Sequence, residues 1–275
     1  MNAGIGVDAG DARLHVEVTG VGAPVVLLHG FTGSAGAMEP LATRLGSDFR
    51  VIVPDLVGHG RSSTPPEPSA YSVDAMVRQV LSVADVLAPA TFHLVGYSMG
   101  GRVALTLACD AGHRLRSLTL IGATAGIADA EARADRRARE EERARLIEAD
   151  LPGFVDEWMA NPLFAGQARL GPEFLARARA QRLEHDAAGL AASLRAAGTG
   201  SMRPVHGRLG QCTMPTLLLV GEDDEKFVAV ARDLSRLLPR SSTCLIPGAG
   251  HSAHLEQPDA VAARVRELVT EIEDA

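Results

Sequence analysis

Gly96-Tyr97-Ser98-Met99-Gly100 sets a serine between two glycines, at the point where an apolar run gives way to the helical pattern MGGRVAL. Flanking glycines allow a strained strand-to-helix turn that lifts a serine hydroxyl above a sheet. Such a hydroxyl is a poor base or nucleophile until an imidazole accepts its proton, and a buried carboxylate fixes that imidazole's tautomer. Both groups follow in the order Ser, acid, His: Gly221-Glu222-Asp223-Asp224 after one apolar run and Gly250-His251 after the next. Asp224 is taken as the acid with Asp223 as its rival, and His251 as the base with His254 as the alternative. Upstream, Val25 to His29 ends in HGFTGS, a glycine-rich turn that brings backbone N–H groups close to a reacting oxygen. The N–H groups of Phe31 and Met99 are therefore expected to form an oxyanion hole. Asp55 and His59, in DLVGHG, are read as parts of a turn.

These residues need a scaffold that ends its strands on one edge. Short apolar runs recur at LHVEV, VVLLH, VIVPD, TFHLVG, LTLIG, TLLLVG and TCLIPG, with amphipathic helical patterns in several intervals. That alternation predicts parallel βαβ units, and the near-continuous apolar character of the later runs predicts strands covered on both faces. Between Thr124 and about Pro204 no strand pattern occurs, and Ala, Arg and Glu dominate. The segment DAEARADRRAREEERARLIEAD is charged nearly all round, as in a solvated helix held by i,i+4 pairs. The expected architecture is a mostly parallel, doubly wound α/β sheet with a helical cap inserted after the sixth strand run. Residues 1–123 and 205–275 would form the core and residues 124–204 the cap. A helix from about Pro258 to Ile272 closes the chain, with Pro258 suited to its first turn.

A length of 275 residues suits one such domain with an insertion. The formal net charge of −7 argues against nucleic acid or an anionic membrane as partner, since those surfaces reward a basic footprint. An anionic small molecule is allowed where cations are local. The N-terminus lacks a basic start and an apolar stretch, and no apolar run reaches membrane-spanning length, so a cytoplasmic protein is expected. Cys109, Cys212 and Cys244 are odd in number and far apart, and are read as small core residues rather than a disulfide framework or metal ligands. Neither a metal nor a cofactor is expected, and the chain is taken as a monomer or weak homo-oligomer.

Over essentially its full length the chain resembles the α/β-hydrolase superfamily, through VVLLHGFTGS, VIVPDLVGHGRSS, GYSMGG, LLLVGEDD and IPGAGHSAHLEQP in that order. A fold alone names no reaction. GYSMGGRVAL, FVDEWMANPLFAG, AAGLAASLRAAGTGS and GEDDEKF together resemble the 2-succinyl-6-hydroxy-2,4-cyclohexadiene-1-carboxylate synthases of menaquinone biosynthesis, a likeness that extends into the cap. The resemblance implies a cofactor-free lyase that eliminates pyruvate from 2-succinyl-5-enolpyruvyl-6-hydroxy-3-cyclohexene-1-carboxylate, a ring bearing succinyl, enolpyruvyl and carboxyl groups. Three carboxylates call for fork-shaped cations in a partly dry pocket. By the same resemblance Arg102, Arg182 and Arg136 face substrate, with Arg137 an alternative to Arg136. Trp158, the only tryptophan, Tyr97 beside the serine, and Lys226, the only lysine, are further substrate-binding candidates. The competing expectation is a serine hydrolase acting on an ester, thioester or carbon-carbon bond, for which the same serine, acid and histidine suffice.

Overall fold

The computed structural model describes residues 4–88 and 90–275. Its eight strands are β1 (Ile5–Asp8), β2 (Arg13–Thr19), β3 (Pro24–Leu28), β4 (Arg50–Pro54), β5 (Phe92–Tyr97), β6 (Leu115–Ile121), β7 (Thr216–Gly221) and β8 (Ser241–Ile246). They form one sheet in the order β1-β2-β4-β3-β5-β6-β7-β8. Pairing is antiparallel from β1 to β2 and β2 to β4, and parallel across the other five pairs. LTLIG, fifth among the apolar runs, is thus part of the sixth strand, because β1 precedes them all. β1 stood outside the apolar runs because three of its four residues are exposed on a sheet edge.

Among the described residues, ten α-helices accompany the sheet. Those of the body are α1 (Ala35–Leu45), α2 (Val73–Leu87), α3 (Met99–Ala111), α8 (Glu225–Leu237), α9 (Ala253–Glu256) and α10 (Pro258–Glu273). Alternation along the strands sends side chains into two apolar layers. Val25 and Leu27 of β3 join Met38 and Leu41 of α1 and Val261 and Val265 of α10. Val26 and Leu28 of the same strand join Met76 and Val80 of α2, Val103 and Leu107 of α3 and Leu234 of α8. Coverage of both faces explains why the central strands read as unbroken apolar runs.

Between β6 and β7 lie α4 (Ala130–Ala149), α5 (Leu151–Met159), α6 (Pro172–Leu183) and α7 (Ala187–Ala197), with a 3-10 stretch at Pro162–Leu170. They share a small apolar cluster of their own, in which Ile147, Phe154, Val155, Leu190 and Leu194 meet. Helix α4, which the sequence suggested was solvated all round, buries Glu140, Ala144 and Ile147. These three recur at i, i+4 and i+7, a stripe that the surrounding charge obscured. The four helices roof the sheet where β3, β5, β7 and β8 end, and enclose the site described next.

Candidate active site

Ser98 sits between the end of β5 and the start of α3, with φ 50° and ψ −106°, a backbone conformation that a residue with a Cβ rarely adopts. The glycines around it answer a different need. A Cβ at Gly100 would stand 2.4 Å from the Leu28 carbonyl oxygen, and one at Gly96 would stand 2.5 Å from the Gly100 carbonyl oxygen. Only their absence lets α3 begin against the end of β3.

The loop after β8 brings His251 to this serine, and the loop after β7 brings Asp224 to the histidine. His251 Nδ1–H donates to Asp224 Oδ2 at 2.8 Å, which leaves Nε2 to accept from the Ser98 hydroxyl at 3.1 Å. Both His251 and Asp224 are buried. Asp224 also caps α8, its Oδ1 accepting from Phe227 N–H at 3.3 Å, so the carboxylate is held from two sides. Asp223 is exposed and pairs instead with Arg169 at 3.0 Å. His254 is buried against the Tyr97 ring, 4.1 Å away, and makes no hydrogen bond to Ser98. Phe31 and Met99 both line the cavity above Ser98, and neither backbone N–H has a hydrogen-bond acceptor among the described residues.

That cavity measures about 240 Å³, the share of roughly eight liquid waters, which suits a small molecule rather than a polymer. Arg102, Arg136, Arg182, Tyr97, Trp158 and Lys226 all line it. Arg102 is buried one turn into α3; its Nη1 donates to the Ala197 carbonyl, and among the described residues its Nε and Nη2 have no hydrogen-bond partner. Burial brings its pKa down to about 10, opposed by the nearby Glu140 carboxylate, so it remains cationic at neutral pH. Arg136 donates from Nε to Glu140 at 2.6 Å, while Arg137 is exposed and turns to the Gly200 carbonyl. Arg182 bonds Thr32 Oγ1 at 3.3 Å and the Ala178 carbonyl at 2.8 Å. Trp158 packs edge-on against Phe31, and its buried Nε1 has no partner among the described residues. The Tyr97 hydroxyl is engaged with Ser252 Oγ at 2.9 Å, so its ring rather than its hydroxyl faces the site's histidines. Lys226 is exposed at the rim.

Three groups escaped sequence reasoning. Glu140 is a buried carboxylate amid the arginines and accepts from Thr199 and Gly200 N–H at 3.0 Å each; its i,i+4 spacing from Arg136 was the available signal. Glu256 accepts from Gly250 N–H at 2.8 Å and Ser252 N–H at 3.2 Å, and so pins the chain on both sides of His251. Gln167 donates to Ser252 Oγ at 2.7 Å, and nothing in its surrounding sequence marks it.

A set of buried histidines surrounds the turn that follows β3. His185, between α6 and α7, receives Gly60 N–H at 2.9 Å and contacts the Thr32 carbonyl oxygen at 2.9 Å, tying the roof to two body loops. His29 and His59 pack 5.1 Å apart beneath it. Burial brings His29 down to about 4, with Asp55 opposing, and His254 to about 3; it lowers His59 and His185 as well. In the unfolded chain each returns to the ordinary 6.5. Below that pH the unfolded state takes up protons that the folded state refuses, so the stability these histidines contribute is level above about pH 7 and falls as pH drops from 6.5 toward 4. His29 and His254 each contribute up to roughly 1 kcal/mol per pH unit in that window, and His59 and His185 act in the same direction. Thermal melting across pH 7.5 to 4.5 should show this decline, and His254→Phe should reduce its slope; a level Tm would contradict neutral burial.

The alpha/beta hydrolase fold family model matches residues 23–258. A Bacillus subtilis protein with the provisional name 2-succinyl-6-hydroxy-2,4-cyclohexadiene-1-carboxylate synthase is 38% identical over 90% of each chain. The 2-succinyl-6-hydroxy-2,4-cyclohexadiene-1-carboxylate synthase of Salmonella heidelberg is 32% identical over 90% of this chain and 94% of its own. Among solved structures, MenH from S. aureus superposes with a TM-score of 0.90 at 31% identity, covering 94% of this chain and 99% of that one. A thermophilic esterase from Thermogutta terrifontis, malate bound, superposes at 0.84 and 31% identity over 98% and 99%.

Proposed function

Because the chain belongs to the 2-succinyl-6-hydroxy-2,4-cyclohexadiene-1-carboxylate synthase family within the alpha/beta hydrolase fold, we propose the reaction and the residue roles that follow. The enzyme eliminates pyruvate from 2-succinyl-5-enolpyruvyl-6-hydroxy-3-cyclohexene-1-carboxylate, giving 2-succinyl-6-hydroxy-2,4-cyclohexadiene-1-carboxylate in menaquinone biosynthesis. One observation carries the reading: a serine-histidine-aspartate relay and three arginines open into the same cavity. A relay alone suits any acyl transfer, whereas clustered guanidinium groups suit a substrate with several carboxylates.

Asp224 holds His251 in the tautomer whose Nε2 faces Ser98, and His251 draws the hydroxyl proton. The serine oxygen, or the histidine through it, then removes a proton beside the succinyl carbonyl. Negative charge collects on that carbonyl oxygen, where the N–H groups of Phe31 and Met99 stabilise it. As the ring gains its second double bond, the carbon-oxygen bond to enolpyruvate breaks and pyruvate leaves. Arg102, Arg136 and Arg182 hold the carboxylates, with Trp158, Tyr97 and Lys226 shaping the remainder. No water attack is needed and no acyl-serine forms. One chain supplies every one of these groups, so a single copy suffices, and the cytoplasm is where we expect it to act.

Pyruvate release from enzymatically prepared substrate, measured beside hydrolysis of short aryl esters, tests the reading. Fast pyruvate release with negligible ester turnover is the expected result. Ester turnover with a burst of product, and pyruvate release no faster than background, would assign the relay to a hydrolase instead.

A further inference from the structure

At the far end of α3 from Ser98, two cysteines separated by 103 residues meet. Cys109 Sγ lies 3.6 Å from Cys212 Sγ, close enough that closing by roughly 1.5 Å would reach the length of a disulfide. Cys109 is half-buried and Cys212 fully buried, at the end of the 3-10 turn His206–Gln211. An ion pair between Asp110, next to Cys109, and Arg208, four residues before Cys212, ties the same two segments, so the sulfurs are held in contact by more than their own packing. Arg208 commits its Nη2 to Asp110, while its Nη1 is buried with no partner among the described residues. Cys244, on β8, contacts the Leu245 carbonyl oxygen and lies beside Arg264, with no second thiol next to it.

We propose that Cys109 and Cys212 form a hydroperoxide-reactive dithiol site, distinct from the Ser98 cavity, that closes to a disulfide. The Cys109 thiolate attacks the peroxide, breaking its O–O bond; a sulfenic acid forms on Cys109 and the departing oxygen takes a proton to leave as water or an alcohol. Cys212 then attacks the sulfenic sulfur, the S–S bond forms and water leaves. Two thiols lose two electrons and the peroxide gains two, so no further reactant is required. The environments assign the roles. The hydrogen bond from Cys212 and the nearby charge of Arg208 hold Cys109 below the ordinary thiol range, which favours the thiolate on the more exposed of the two sulfurs. Its contact with Cys109 and its burial push Cys212 upward, which suits the second, internal step.

The full chain, purified in reductant and then freed of it, is treated with hydrogen peroxide and followed by thiol counting and intact mass. Free thiols should fall from three to one. The mass should drop by about two units, one hydrogen per thiol. Digestion without reductant should give a peptide joining Cys109 to Cys212, which dithiothreitol releases. Cys109→Ser should keep its two remaining thiols reduced under the same treatment. Three thiols persisting in the wild type, or oxygen accumulating on Cys109 with Cys212 still free, would overturn the proposal. None of these readouts depends on pyruvate release.

Discussion

Ser98→Ala should lower the rate of pyruvate release by roughly a thousand-fold or more, since members of a catalytic relay act as a unit and removing one disables the rest. In the proposed reaction the hydroxyl is the atom through which His251 reaches the substrate proton, and the 3.1 Å contact to Nε2 leaves no second route of comparable geometry. His254 is no substitute, being buried against Tyr97 and held neutral. The loss should fall on kcat, because the arginines that hold the carboxylates are untouched. Steady-state kinetics with Tm as a control for folding checks this, and near-normal turnover would remove Ser98 from the mechanism.

Arg102→Lys should lower kcat/KM by about a hundred-fold, mostly through KM, although the charge is kept. The guanidinium anchors itself to the Ala197 carbonyl with one nitrogen and still presents others to the cavity, a division of labour that a single ammonium cannot reproduce. Removing one partner of a buried, hydrogen-bonded charge pair costs about 2–5 kcal/mol, which sets the scale. Comparing kcat and KM of the variant with its Tm decides the point: a twofold effect would make Arg102 a structural residue bridging α3 and the end of α7.

Local chemistry was the part of this molecule most legible in its sequence. The glycine-flanked serine, the acid and the histidine each follow an apolar run, and the structure brings all three within hydrogen-bonding distance because parallel strands end on one edge. Adjacent residues could not be separated in this way. Asp223 and Asp224 share a turn, and only burial distinguishes the exposed one from the one beneath His251. Arg136 and Arg137 differ by about 100° around α4, and which of them meets the cavity depends on how that helix seats on α7. Least legible were contacts closed over long stretches of chain, such as Gln167 to Ser252 or His185 to Thr32, because neither partner carries a local signature of the other. The Cys109–Cys212 contact is of the same kind: reading the cysteines as scattered core residues was sound for their spacing, yet α3 and the turn before β7 bring two of them together.

The backbone of Ser98 has a bearing on how any variant there is to be interpreted. A residue with a Cβ held at φ 50° and ψ −106° costs of order 1–3 kcal/mol, which the surrounding packing must offset. Alanine keeps the Cβ and therefore keeps the cost, so its loss of rate reports the missing hydroxyl alone. Glycine would relax the turn as well, making a protein that melts higher while working no better. At this one position thermal robustness and turnover pull in opposite directions, and a screen that selected only for heat resistance would drift toward an inert enzyme.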